Sequence, residues 1–104
     1  DIVDPALSAF TAKLITAYAG VAAFTTKCGY GCSDHASWTK KGFPAAMAFE
    51  STFDGSNKAI HSDRDTLATS GGDASHSVPF AKLAVAFAVE LAKTAPAAVK
   101  VTAR

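Results

Sequence analysis

Pro44-Ala-Ala-Met-Ala-Phe49 is an apolar run with no polar residue alternating through it. A strand with one wet face alternates apolar and polar positions. A short run without alternation reads instead as a strand covered on both faces, as in an α/β sheet. Working outward, Val21-Ala-Ala-Phe-Thr-Thr26 reads as a second short strand. Upstream of it a helix is expected from Pro5 to Ala19. Asp4 is its N-cap, Pro5 sits where a missing N–H costs nothing, and Gly20 stops it. Leu7, Phe10, Leu14 and Tyr18 share one face of that helix, with Ile15 beside them. A short helix follows over Ser33–Lys41, capped by Ser33 or Asp34 and stopped at Gly42.

Residues 50 to 76 carry Gly, Ser and Asp with little periodicity, and one helical turn is expected after Asp65. A loop of this length in a compact domain is usually functional or disordered. The last helix starts near Ser77, buries Phe80, Leu83, Ala84, Phe87 and Leu91, and closes at Pro96. Residues 1–94 therefore read as one structural piece and 95–104 as a tail or linker. Two strands cannot make an α/β sheet with both faces covered. The expected faces of the first and last helices, Phe10, Leu14, Leu83 and Phe87, should pack on the strand Ala45–Phe49.

Composition points the same way. The 104 residues suffice for one domain at most. Ala supplies 23 of them, whereas Leu, Ile, Val and Phe together supply 22. Alanine buries little area, so this is a thin core that gains by packing against further elements. A net charge of +1 gives no electrostatic reason to expect nucleic acid or an anionic membrane. No apolar run approaches the roughly 18 residues that span a bilayer. Asp1-Ile-Val-Asp4 lacks the basic start of a signal peptide, so any leader lies upstream.

The two cysteines, in Cys28-Gly-Tyr-Gly-Cys32, are too few for a four-thiolate zinc site and are not spaced as C-x-x-C. The glycines let the backbone turn tightly enough for a bridge worth about 2 kcal/mol before strain. A bridge implies an oxidising compartment. A reduced pair in a cytosolic loop is the other reading. Polar residues cluster at Ser33-Asp34-His35 and at His61-Ser62-Asp63-Arg64-Asp65. Consecutive residues point apart, so the first cluster is not a hydrolase triad. His61 suits a metal ligand or general base, or is an exposed loop histidine.

Cys28-Gly-Tyr-Gly-Cys-Ser-Asp-His-Ala-Ser-Trp38, Gly42-Phe-Pro-Ala-Ala-Met47, Phe49-Glu-Ser51, Ile60-His61 and Asp65-Thr-Leu-Ala68 together resemble the C-terminal third of secreted bacterial leucyl aminopeptidases. These are two-zinc metallo-exopeptidases, and the order and spacing hold from about Asp4 to Lys93. The resemblance implies the C-terminal portion of a three-layer zinc-exopeptidase fold, a mixed sheet flanked by helices, incomplete as a stand-alone sheet. It implies that His61 is the last zinc ligand and that Cys28 and Cys32 form a disulfide beside the active site. Tyr30 is then the catalytic phenol lining the cleft and touching substrate, and Ser33 a hydroxyl that orients a ligating carboxylate. Met47, Phe49, Phe53 and Ile60 are walls of the pocket for a leucine-like N-terminal side chain.

The family's general-base glutamate, bridging aspartate and remaining ligands have no counterpart here. By position Glu50 is not the base and Asp34 is not the bridge; Asp34, His35 and His76 receive no role. The resemblance thus implies a fragment of a secreted zinc aminopeptidase, inactive alone. Its partners are a peptide substrate, the missing N-terminal part of its own catalytic domain, and possibly another protein chain. The alternative is a released, non-catalytic fragment that binds or inhibits another protein such as a protease. A relative catalysing glutaminyl cyclisation fits less well with the cysteine loop and the Met47, Phe49, Phe53 pocket.

Overall fold

The computed structural model describes residues 1–93. Asp4 caps the first helix, α1 (Pro5–Leu14), by accepting the Leu7 N–H at 2.7 Å, with Pro5 at the first helical position. The single α-helix expected to reach Ala19 gives way to a π-helical turn, Ile15–Ala19. Thr11 and Thr16 donate their hydroxyls to the carbonyls of Leu7 and Ala12, four residues back. Such back-bonds perturb a helical ladder, and these two flank the point where α becomes π. Gly20, at φ 75°, ends the element in the left-handed conformation that glycine adopts without a Cβ clash.

The second helix, α2 (Asp34–Lys40), begins after Ser33, as expected, and Gly42 beyond it has φ 84°. Ser33 makes no capping bond with its side chain. Trp38 near the end of α2 meets Phe43 edge-on at 5.7 Å. The third helix, α3 (Val78–Lys93), follows a 3-10 turn, Ser75–Ser77. The closure at Pro96 and the tail 95–104 lie outside the described residues.

α1, the π turn and α3 pack together. Leu14 and Leu83 are their buried large residues, joined by Ala19 and Ala86. Phe10 and Phe87 are half-buried and pair with each other at 5.8 Å. Four of the six buried apolar residues are alanines, and no side chain among the described residues is fully buried. The thin core is therefore real, and the shape is open. The radius of gyration is 16.8 Å, against about 13 Å for a compact chain of this length. On the outer face the Tyr18 hydroxyl, near the end of the π turn, bonds the Glu90 carboxylate of α3, which also pairs with Lys93 at 2.9 Å. The Tyr18 bond first, and then the Lys93 bond, hold Glu90 below the usual carboxylate range, while the bond to Glu90 raises Tyr18.

Neither expected strand forms a ladder: the described residues contain helices and turns but no β-bridge. A strand exists only with a partner, and Val21–Thr26 and Ala45–Phe49 do not pair with each other. Both runs instead line one cleft. The helical turn expected after Asp65 is a series of tight turns, with Ser70 N–H bonding the Thr66 carbonyl and Gly72 N–H that of Leu67.

Candidate functional site

The cleft has a volume of about 600 Å³. One wall is the run 21–27 with Cys28 and Cys32; the other is residues 46–51 with Phe53; α1 and Leu83 form its floor. Of the expected pocket residues, Met47, Phe49 and Phe53 lie in this wall. Phe53 opens a 3-10 turn, Phe53–Gly55, and its N–H donates to the Thr26 hydroxyl at 3.0 Å, tying the two walls together.

The cysteines are bridged, with Cα atoms 6.4 Å apart, so the open question of their oxidation state is settled as a disulfide in this structure. Gly29, at φ 85°, makes the tight turn inside the ring. The ring holds Tyr30 out to solvent, 60% exposed, in a T-shaped pair with Phe53 at 6.4 Å. Phe49 stacks obliquely on the same Phe53 at 6.0 Å. Three rings thus run from the cleft to an exposed phenol, at separations where aromatic pairs contribute about 0.5–1.5 kcal/mol each. The Lys58 ammonium sits 5.8 Å from the Phe53 ring and donates to the Phe53 carbonyl at 3.0 Å, fixing that residue from the solvent side.

Ile60 and His61 lie outside the cleft wall, on the turn Ala59–Ser62, closed by Ser62 N–H to the Ala59 carbonyl. His61 is its third residue, with φ 64°. A turn with positive φ at that position favours glycine or asparagine. A histidine there carries backbone strain and presents an exposed imidazole that forms no hydrogen bond or ion pair among the described residues. Asn57 braces the loop: it donates to Asp65 at 2.8 Å through its amide and to Glu50 at 3.0 Å through its N–H, and accepts from Ala59 N–H. Among the described residues no group of three or more His, Cys, Asp or Glu side chains could hold a metal ion. A catalytic zinc needs about three protein ligands, which His61 and its described neighbours do not supply.

Two residues given no role in the sequence organise the site. His35 is 7% exposed, and its Nε2–H donates to the Asp1 carbonyl at 3.0 Å. The Asp1 carboxylate accepts the Gly29 N–H of the disulfide ring at 2.7 Å. A histidine at the second position of the short helix α2 is the hint of this in the sequence. Asp1 gives none.

The model of peptidase family M28 matches residues 3–88. The chain belongs to that family. Over 92 residues, 88% of this chain, it is 48% identical to leucine aminopeptidase 1 of Emericella nidulans and 47% identical to that of Grosmannia clavigera. It covers only 23% and 22% of those proteins, so it spans about a quarter of the curated relatives it matches. Among solved structures, the LapA aminopeptidase of Legionella pneumophila is 44% identical with a TM-score of 0.77, over 88% of this chain and 24% of that one. Relatives with this sequence pattern thus occur in fungi as well as in bacteria.

Proposed function

We propose that this chain is the part of a secreted zinc aminopeptidase that carries the side-chain pocket, the phenol and one metal ligand. The parent removes leucine-like residues from peptide N-termini, and the 104 residues are inactive alone. The observation that carries this reading is the aromatic row Phe49, Phe53, Tyr30, which continues an apolar cleft to an exposed hydroxyl.

Met47, Phe49 and Phe53 take the substrate's first side chain out of water. Burial of a leucine side chain supplies about 1.5–3 kcal/mol, which alanine does not recover. The Tyr30 hydroxyl, held by the disulfide ring, donates to the scissile carbonyl oxygen as charge gathers there. His61 would hold zinc together with ligands from the rest of the domain, and the Ser33 hydroxyl, not used as a helix cap, would orient one of those ligands. When bound, the two ions supply the Lewis acidity that activates water and polarises the carbonyl. The general base is also contributed from outside this chain.

The test is His61→Ala in the full-length parent. It should lose one zinc equivalent by elemental analysis and most hydrolysis of leucyl peptides, with circular dichroism unchanged. Full zinc content and normal turnover would remove both His61 and the catalytic reading.

A further inference from the structure

The Tyr30 hydroxyl makes no hydrogen bond among the described residues, and the side chain is largely exposed. Its contact with the Phe53 ring carries no directional bond to the hydroxyl. Where the hydroxyl sits is therefore set by the backbone of the ring Cys28–Cys32. The disulfide closes that ring but ties it only to itself.

Other groups seat the ring on the rest of the chain. The Asp1 carboxylate accepts the Gly29 N–H at 2.7 Å, a charge-assisted bond to the residue next to Tyr30. On the other side of Tyr30, a Cβ added to Gly31 would stand 3.1 Å from the Ala36 Cβ of α2 and 3.5 Å from Cδ1 of Ile2, so the ring lies close against both. Asp1 is held in turn by His35. The His35 Nε2 faces the Asp1 carbonyl oxygen at 3.0 Å, which can only accept, so Nε2 carries the proton. The second nitrogen, Nδ1, is buried with no hydrogen-bond partner among the described residues. Burying a polar ring with one nitrogen unused is unfavourable, and the bond to Asp1 is what the ring gains in exchange. Ile2 has φ 54°. A β-branched residue in that region is a genuine outlier, and such strain persists where the surrounding contacts over-determine it. Here those contacts are the two bonds to Asp1 and the approach of Ile2 to Gly31.

We propose that Asp1 and His35 are positioning residues for the Tyr30 hydroxyl. His35 fixes the Asp1 backbone, the Asp1 carboxylate fixes Gly29, and the ring then presents the phenol at one place beside the cleft. The inference rests on the reading above that Tyr30 donates to the scissile carbonyl. Such a donor acts in the transition state because it is already in place, and a displacement of about 1 Å can cost about 100-fold in rate. Neither positioning residue binds substrate, so losing the seat lowers kcat and leaves KM unchanged.

The test is a set of variants in the full-length parent, assayed on leucyl peptides with thermal midpoints read on each. Tyr30→Phe should lower kcat about 100-fold or more. Asp1→Ala should lower kcat about 10- to 100-fold with KM within about twofold of wild type. Asp1→Asn keeps an oxygen for the Gly29 N–H, and His35→Gln places an amide N–H where Nε2 stands; both should stay within about fivefold of wild type. His35→Leu removes the donor and should match Asp1→Ala. The decisive variant joins Asp1→Ala to Tyr30→Phe. With the hydroxyl gone there is nothing left to position, so the double variant should be within about twofold of Tyr30→Phe alone. Gly31→Ala presses the ring off α2 by packing alone and keeps the test open if a polar variant fails to fold. It should lower kcat about tenfold, and that loss should also vanish in the Tyr30→Phe background. Losses that multiply in the double variants, conservative variants as slow as Asp1→Ala, or wild-type kcat in Asp1→Ala would each overturn the proposal and leave the phenol reading standing. Normal kcat in Tyr30→Phe would sink the phenol reading itself, and this inference with it.

Discussion

Replacing Asp4 with alanine tests how the entrance to the cleft is held. The Asp4 carboxylate accepts the Leu7 N–H at 2.7 Å, one of the first-turn donors that has no partner within the helix. Losing an aspartate cap costs about 1 kcal/mol, within a range of roughly 0.5–2. Its negative charge at the positive end of α1 adds about 0.3–1 kcal/mol at low salt. Asp4→Ala should therefore cost roughly 1–2 kcal/mol. Asp4→Asn keeps the acceptor and loses only the charge, so it should cost less than about 1 kcal/mol. The Asp4 N–H to Ala45 bond is made by backbone and survives in both variants. Urea midpoints of the parent give the difference, and exchange of the Leu7 amide gives it locally: about a five- to thirtyfold acceleration in the alanine variant. Equal losses in alanine and asparagine variants would show that the charge, not the cap, carries the effect. No loss in the alanine variant would show that α1 is held from elsewhere.

Phe53→Ala in the parent should erode the preference for leucine over alanine at the substrate N-terminus. Apolar pockets discriminate by about 1–3 kcal/mol, which limits the change in the kcat/KM ratio to roughly 10- to 200-fold; an unchanged ratio removes Phe53 from the pocket. The link between Tyr18 and Glu90 should show two pH limbs. Glu90 is held below its ordinary value of 4.5, so its contribution is complete above that value and is lost as pH falls through the lowered one. Tyr18 is raised above its ordinary 10.0, so its contribution is complete below that value and is lost as pH rises through the raised one. Tyr18→Phe should abolish the alkaline limb in stability-versus-pH curves and shrink the acid limb to the part that Lys93 supports, and an acid limb of unchanged size would refute the link. At Gly42, with φ 84° and open space around its Cα, alanine meets no atom and should still cost about 1–2 kcal/mol through backbone strain alone, read from the urea midpoint.

The helices were legible in the sequence because their signals are local. Asp4 with Pro5, Ser33 ahead of Asp34, and Gly20 and Gly42 each act within one turn of themselves. The π turn was hidden, because a threonine in a helical pattern does not announce that its hydroxyl will bond back into the ladder, as Thr11 and Thr16 do here. The two apolar runs were read as strands for a sound reason, yet strand pairing is a property of two segments, and residues 22–27 and 46–50 have no backbone partner among the described residues. For the site, Met47, Phe49 and Phe53 were brought onto one wall by a contiguous stretch of chain. The placement of Ile60 and His61 on a separate turn, and the hold of His35 on Asp1 across 34 residues, depend on tertiary geometry.

The two unpaired runs that line the cleft also bear on the order in which the chain is made. A ribosome releases α1 first, then residues 22–27, and residues 46–50 later still. Residues 22–27 therefore stay without a backbone partner while the cysteine ring and α2 are made, and residues 46–50 reach the cleft only afterwards. Both runs are uncharged, from Val21 to Thr26 and from Ala45 to Phe49, and while unpartnered they are open to pairing between molecules. These 104 residues translated alone should therefore become clients for holdase chaperones.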